Sequence, residues 1–257
     1  MSGRQQVDAF PEGLVLELPD EEASRVFAED VAILLRTGDM VSLSGDLGAG
    51  KTTLARAVLR YLAGDDAMEV PSPTYTLVQT YETRPKATHF DLYRIEGDGE
   101  LAELGLEEAA ETGVVLVEWP ERSELVGSEA NLTLSLEVAP GGGRNLIVGA
   151  AAETALRLSR SLRIRRFLEN AGHGKARRLP FRADASARRY EHVEGPDGPM
   201  VLMDAPRLAR GPVLPNGRTY AEIAHIAQDV TAFVALAKAL AAKGFSVPEV
   251  HAVDLDS

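Results

Sequence analysis

The chain has no cysteine, which removes disulfide frameworks and thiolate metal centres from consideration. No apolar run approaches the roughly 20 residues of a membrane span. The polar stretch at 1–7 lacks the apolar centre of a secretion signal. A cytoplasmic protein with no membrane association is therefore the expectation. Aromatic residues supply 5% of the 257 positions, and Trp119 is the only tryptophan. Basic residues are scarce in one part of the chain only. Residues 1–159 hold 12 Lys/Arg against 28 Asp/Glu, whereas residues 160–257 hold 15 against 11, so the net charge of −12 divides into −16 and +4. This asymmetry argues for two units. The acidic unit is a poor direct binder of nucleic acid, because neutralising phosphates supplies most of such affinity. An apolar content of 45% fits a globular protein.

What is present is a phosphate-binding pattern. Residues 45–53 read GDLGAGKTT, matching G-x-x-x-x-G-K-T. A short apolar strand over 39–44 precedes it. A helix over 52–62 follows, with Leu54, Val58, Leu59 and Leu62 at helical spacing. Gly45 and Gly50 permit the backbone angles of a loop that closes on phosphate. The N–H groups of Asp46, Gly48, Ala49 and Gly50, with the helix N-terminus, present partial positive charge to it. The motif assigns Lys51 to the β- and γ-phosphates and the Thr52 hydroxyl to magnesium. Thr53 is placed near the α-phosphate. The guanine-reading signature Asn-Lys-x-Asp is missing, so ATP with Mg2+ is the expected ligand, rather than GTP.

Further elements follow from pattern. Strands are expected over 13–18, 74–81, 87–92 and 113–118. Helices are expected after the N-cap Asp20, with Val26, Phe27, Val31, Leu34 and Leu35 as the apolar face, and over 100–111. The segments 131–138 and 145–150 alternate around a Pro-Gly-Gly-Gly turn, which predicts a hairpin. A helix over 153–171 spans the charge shift, and the boundary is expected near residue 156 or within one shared helix.

A phosphate loop needs an acidic partner for magnesium, usually at a neighbouring strand end. Glu118 closes the most apolar strand, at the sheet edge where open α/β sheets bind ligands. It is assigned to magnesium, directly or through water. Asp91 ends another strand and is read as orienting the attacking water or holding a metal-bound water. Arg94 is read as an internal arginine finger or, more simply, as a salt-bridge partner. His89 is read as a packed or hydrogen-bonded histidine before a proton shuttle. Trp119 is read as stacking near the nucleotide or as a buried anchor. The Pro71-Ser72-Pro73-Thr74 turn carries two hydroxyls and is a candidate sensor of the γ-phosphate.

GDLGAGKTT at 45–53, SPTY at 72–75, HFDLYR at 89–94 and VEWPE at 117–121 together resemble the TsaE (YjeE) family of bacterial ATPases. The resemblance implies an α/β P-loop NTPase fold over about 10–156, with a mostly parallel central sheet and an antiparallel edge hairpin. It implies an ATPase required for threonylcarbamoyl modification of adenosine beside the tRNA anticodon, acting with TsaB and TsaD and reaching tRNA only through that complex. It also implies functional roles for Asp91 and Glu118, and a switch at Ser72 and Thr74.

Residues 160–190 hold ten Lys/Arg against two acids. Asp184 to Tyr190 and Val201 to Pro206 resemble the N-terminal lobe of aminoglycoside-phosphotransferase-like kinases, nearest the amino-sugar kinases. The resemblance covers 157–257 and implies a partial α+β lobe with a helix over 214–242 and a strand over 248–254. The strand at 201–204 lacks the lysine many such kinases carry, and the His-x-Asp-x-x-x-x-Asn loop is missing. The alternative function, a small-molecule kinase of the amino-sugar type, is therefore not expected of this chain.

Overall fold

The computed structural model describes residues 13–181, 188–196, 198–205 and 230–255. The chain divides into two compact units, Met1–Arg165 and Arg166–Ser257. The helix Ala152–Asn170 carries residues of both.

The first unit is built on a seven-stranded sheet. In chain order its strands are β1 Leu14–Leu18, β2 Met40–Ser44, β3 Val78–Tyr81, β4 Ala87–Asp91, β5 Val114–Glu118, β6 Leu132–Val138 and β7 Arg144–Ala150, in the spatial order β1-β7-β6-β2-β5-β4-β3. The central four, β6-β2-β5-β4, are parallel. Antiparallel strands close both edges, β7 and β1 on one side and β3 on the other. The sheet is thus mostly parallel with an antiparallel hairpin, as the resemblance implies, and carries a second antiparallel edge.

β5 is buried along its whole length, as its unbroken apolar run requires for a strand covered on both faces. Its residues alternate between two layers. Val115 and Val117 join Met40, Phe90, Leu92, Leu101 and Val126 in one core cluster. Glu118, on the opposite parity, reaches the hydroxyl of Thr52 on α2 (Lys51–Ala63). α1 (Glu21–Ala32) starts at Asp20, whose carboxylate accepts from the Ala23 N–H at 2.7 Å, with Glu21 and Glu22 favourably placed in its first turn. Gly64, at φ 66°, ends α2.

Two expectations for the first unit need correction. Residues 74–77 form a turn instead of extending β3: the Leu77 N–H bonds back to Pro73 O at 2.6 Å, and Leu77 sits at φ 63°, outside strand geometry. The helix expected over 100–111 is two short ones, α3 Asp98–Glu103 and α4 Leu106–Thr112, because Gly105 between them takes φ 76°; apolar spacing alone does not register such a break. After β5 comes α5 Glu124–Glu129.

The helix Ala152–Asn170, α6, is tied into the first unit by polar contacts. Arg157 forks onto Asp39, both bonds 2.7 Å. Arg165 forks onto Asp30, both bonds 2.8 Å, and Ser161 donates to Asp30 O at 2.9 Å.

In the second unit β8 Arg177–Pro180, β9 Arg189–Gly195 and β10 Gly198–Asp204 form an antiparallel sheet, order β10-β9-β8. Buried Arg178 pairs bidentately with Glu191 at 2.7 and 2.9 Å. A last helix spans Thr231–Ala241. The strand expected over 248–254 is not formed. This segment is largely exposed and no strand pairs with it among the described residues, and a segment without a partner ladder does not make a strand. Residues 1–7, 184–187, Pro206 and the 214–229 part of the expected helix lie outside the described residues.

Candidate functional site

Parallel pairing brings the site together. Leu43 of β2, Glu118 of β5 and Asp91 of β4 are successive partners in register, so the carboxyl ends of three adjacent strands open beside the loop that leaves β2. That loop carries left-handed backbone at Gly45, Gly48 and Gly50, with φ 130°, 79° and 109°. A side chain at Gly45 would put its Cβ 2.3 Å from Leu136 O, so the loop begins in direct backbone contact with β6.

Lys51 opens α2 and is buried. Its Nζ donates to Gly45 O at 2.6 Å and Asp46 O at 3.0 Å, curling back over the loop. The Trp119 ring lies against it, with Nζ 3.5 Å from the ring centroid. Trp119 in turn packs on Tyr93, centroids 5.0 Å apart. Burial pulls the Lys51 ammonium below its ordinary pKa, and the charges of Glu118, Glu121, Asp91 and Asp46 oppose that pull.

Two polar clusters stand side by side. In the first, Thr52 Oγ1 donates to Glu118 Oε2 at 2.9 Å, and the other oxygen, Oε1, meets His89 Nε2 at 2.9 Å. Both Glu118 and His89 are buried. An ionised carboxylate only accepts, so Nε2 carries the hydrogen in this contact. In the second, Asp91 Oδ2 accepts from Ser72 Oγ at 3.0 Å and Thr74 Oγ1 at 2.9 Å, and Oδ1 accepts from the Tyr93 N–H at 3.0 Å. The turn carrying both hydroxyls is thereby tied to a strand-end carboxylate. Lys51, Thr52, Glu118 and His89 thus converge directly, and Ser72, Thr74 and Asp91 form the neighbouring group. Thr53, the next residue along α2, also lines a cleft of about 360 Å³ with residues of α1 and α2. Asp46 and Gly48 lie at the exposed loop tip. Among the described residues Arg94 has no ion pair of the kind expected: its guanidinium lies 5.8 Å from the Tyr75 ring centroid, and both side chains are exposed.

Thr52 and Glu118 offer two hard oxygen donors at one point. Magnesium takes one or two protein oxygens and completes its shell with phosphate oxygens and water, so this donor pair fits that ion. Among the described residues there is no cluster of three or more His, Asp or Glu able to cage a metal alone.

Sequence reasoning missed Arg144. From the first position of β7 it donates to the carbonyls of Gly48 and Ala49 in the loop and of Gly142 and Gly143 in the hairpin turn. An arginine after a glycine turn carries no recognisable signal. Its partner is set by β6 lying beside β2, which is a matter of topology.

The family described as Threonylcarbamoyl adenosine biosynthesis protein TsaE matches residues 18–146. The chain belongs to the TsaE family. The tRNA threonylcarbamoyladenosine biosynthesis protein TsaE of Rickettsia felis is 38% identical over 125 residues, 48% of this chain and 72% of that protein. The protein of that name from Haemophilus influenzae is 38% identical over 133 residues, 49% of this chain and 83% of its own length. Among solved structures, Bacillus subtilis YdiB is 24% identical with a TM-score of 0.48, and covers 59% of this chain and 95% of its own. The TsaE match takes in the phosphate loop, β3 to β6 and the start of β7, and ends before α6. No helix among the described residues is long and apolar enough to cross a membrane.

Proposed function

We propose that this chain binds ATP and magnesium at the 45–53 loop and hydrolyses ATP as the ATPase component of threonylcarbamoyladenosine formation on tRNA, working in the cytoplasm with TsaB and TsaD. The observation that carries the reading is Thr52, at the head of the loop helix, hydrogen-bonded to strand-end Glu118, with Lys51 beside them in a chain of the TsaE family. Thr52 and Glu118 would hold magnesium, which supplies charge neutralisation on the β- and γ-phosphate oxygens. The amides of Asp46, Gly48 and Gly50 and the α2 N-terminus cradle the phosphates, the Ala49 N–H shapes the loop between them through Asp46 O, and Thr53 bonds the α-phosphate side. Lys51 exchanges its carbonyl contacts at Gly45 and Asp46 for phosphate oxygens. His89 fixes the orientation of the Glu118 carboxylate. Asp91 orients the attacking water. Ser72 and Thr74 on that same carboxylate report the γ-phosphate to the exposed turn.

The strongly acidic residues 1–159 support docking to protein partners over direct contact with tRNA. The test is ATP turnover with and without TsaB and TsaD for the wild type, Lys51→Ala and Glu118→Ala. Losses of about 10²-fold or more are expected in both variants. Unchanged hydrolysis would refute the site, and failure to bind the TsaB–TsaD pair would refute the role.

We read the second unit as a kinase-like N-terminal lobe, supported by its three-stranded antiparallel sheet and following helix. The Lys51→Ala chain should then retain a second, weaker ATP site by calorimetry. No residual ATP binding would end that reading.

A further inference from the structure

The guanidinium of Arg144 is engaged with main-chain oxygens of two different loops. Nε donates to Ala49 O and Nη2 to Gly48 O at 3.4 Å; Nη1 donates to Gly142 O at 2.9 Å and Gly143 O at 3.0 Å. Two acceptors belong to the phosphate loop and two to the β6–β7 turn.

The peptide planes it grips are the ones most free to rotate. They are flanked by Gly48 and Gly50, both with positive φ, and glycine resists such rotation least. The C=O and N–H of one plane point in opposite directions. Holding Ala49 O on Arg144 therefore turns the Gly50 N–H away from the arginine. The Gly48–Ala49 plane is held at both ends, with its oxygen on Arg144 and the Ala49 N–H on Asp46 O at 3.0 Å.

The anchor itself is fixed. At Gly143 a Cβ would lie 2.8 Å from Leu18 O and 2.9 Å from Pro19 Cα, so the turn is seated against the end of β1. Gly45, at the other end of the loop, abuts Leu136 of β6. The loop is thus stitched to one hairpin at two points, and Arg144 is the stitch nearest the phosphate-facing amides.

We propose that Arg144 is a positioning residue that presets the phosphate loop for a nucleoside di- or triphosphate, acting through the carbonyls of Gly48 and Ala49 and not by touching substrate. The inference rests on the reading of the loop as a nucleotide site. The test uses the full chain with Arg144→Met, which keeps the stem and removes the donors, and Arg144→Lys, which keeps the charge but lacks the fork. Binding of a fluorescent N-methylanthraniloyl-ADP is measured alongside amide hydrogen exchange of the ligand-free proteins. Arg144→Met is expected to weaken binding about ten- to hundredfold, with Arg144→Lys between it and the wild type. Exchange at residues 48–51 should accelerate while β2 and β5 exchange at the wild-type rate. Binding within twofold of wild type in Arg144→Met would overturn the proposal. So would equal acceleration in the loop and the strands, which marks general destabilisation. A wild type that binds no nucleotide would refute the proposed function instead, and the exchange comparison would still decide whether Arg144 holds the loop.

Discussion

Replacing Arg165 by methionine should loosen α6 from the first unit and lower that unit's stability sharply. Arg165 and Asp30 are 4% and 1% exposed, and the pair is joined by two bonds of 2.8 Å. Removing Arg165 takes a two-bond partner from a buried carboxylate, and breaking a buried ion pair in this way costs about 3–5 kcal/mol. In a unit of this size about 2–4 °C of melting temperature accompanies each kcal/mol, so a fall of roughly 6–20 °C is expected. Replacing both partners, Asp30→Leu with Arg165→Met, should recover most of the loss, because a well-packed apolar pair matches a buried ion pair in net stability. Trp119 is the only tryptophan and lies in the first unit. Its fluorescence during thermal or urea unfolding therefore reports that unit without interference from the second. A single variant melting within about 2 °C of wild type, or a coupling below about 0.5 kcal/mol in the double-mutant cycle, would refute the claim that α6 is held by this pair.

Gly45→Ala should prevent normal closure of the loop, because the new Cβ would fall 2.3 Å from Leu136 O at φ 130°; a wild-type unfolding midpoint would contradict it. His89→Leu strips the donor from Glu118 Oε1 in a buried setting and should cost about 1–3 kcal/mol in the same unfolding assay, with His89→Gln costing less because it retains an N–H. Lys51 supplies a pH signature. Its folded-state pKa lies below the unfolded one, so between the two values the unfolded chain binds more protons and stability rises with pH. The cost of burying the charged amine is thus fully present below the folded value and is lost as pH climbs toward about 10.4. The stability of wild type relative to Lys51→Met should therefore increase between pH 8 and 10.5; a flat difference in urea midpoints would count against it.

The parts of the site legible in sequence are those whose chemistry is local. The phosphate loop, α2 and the buried run of β5 each carry their pattern within about ten residues, and Glu118 was found because it ends that run. The break at Gly105 and the turn at 74–77 were not legible, because apolar spacing continues across both while the backbone angles change. The contacts between segments distant in sequence were further out of reach. Arg144 on Gly48 and Ala49, Arg157 on Asp39 and Arg165 on Asp30 join residues roughly 95–135 positions apart. Nothing in a one-dimensional pattern pairs one arginine with one aspartate across that distance. In the second unit, the strand that the resemblance implies over 248–254 has no neighbouring strand among the described residues to complete a ladder.

The contact between Gly45 and Leu136 bears on protein engineering. A phosphate loop is often treated as a cassette that can be moved between sheets with its strand and helix. Here the first glycine rests on the main chain of β6, and the first residue of β7 is the arginine that grips the loop. A transplant of residues 40–63 would arrive without its seat. The smallest transferable unit includes the β6–β7 hairpin, about eighty residues further along the chain, and libraries that vary the hairpin will retune the loop without altering any residue of the motif.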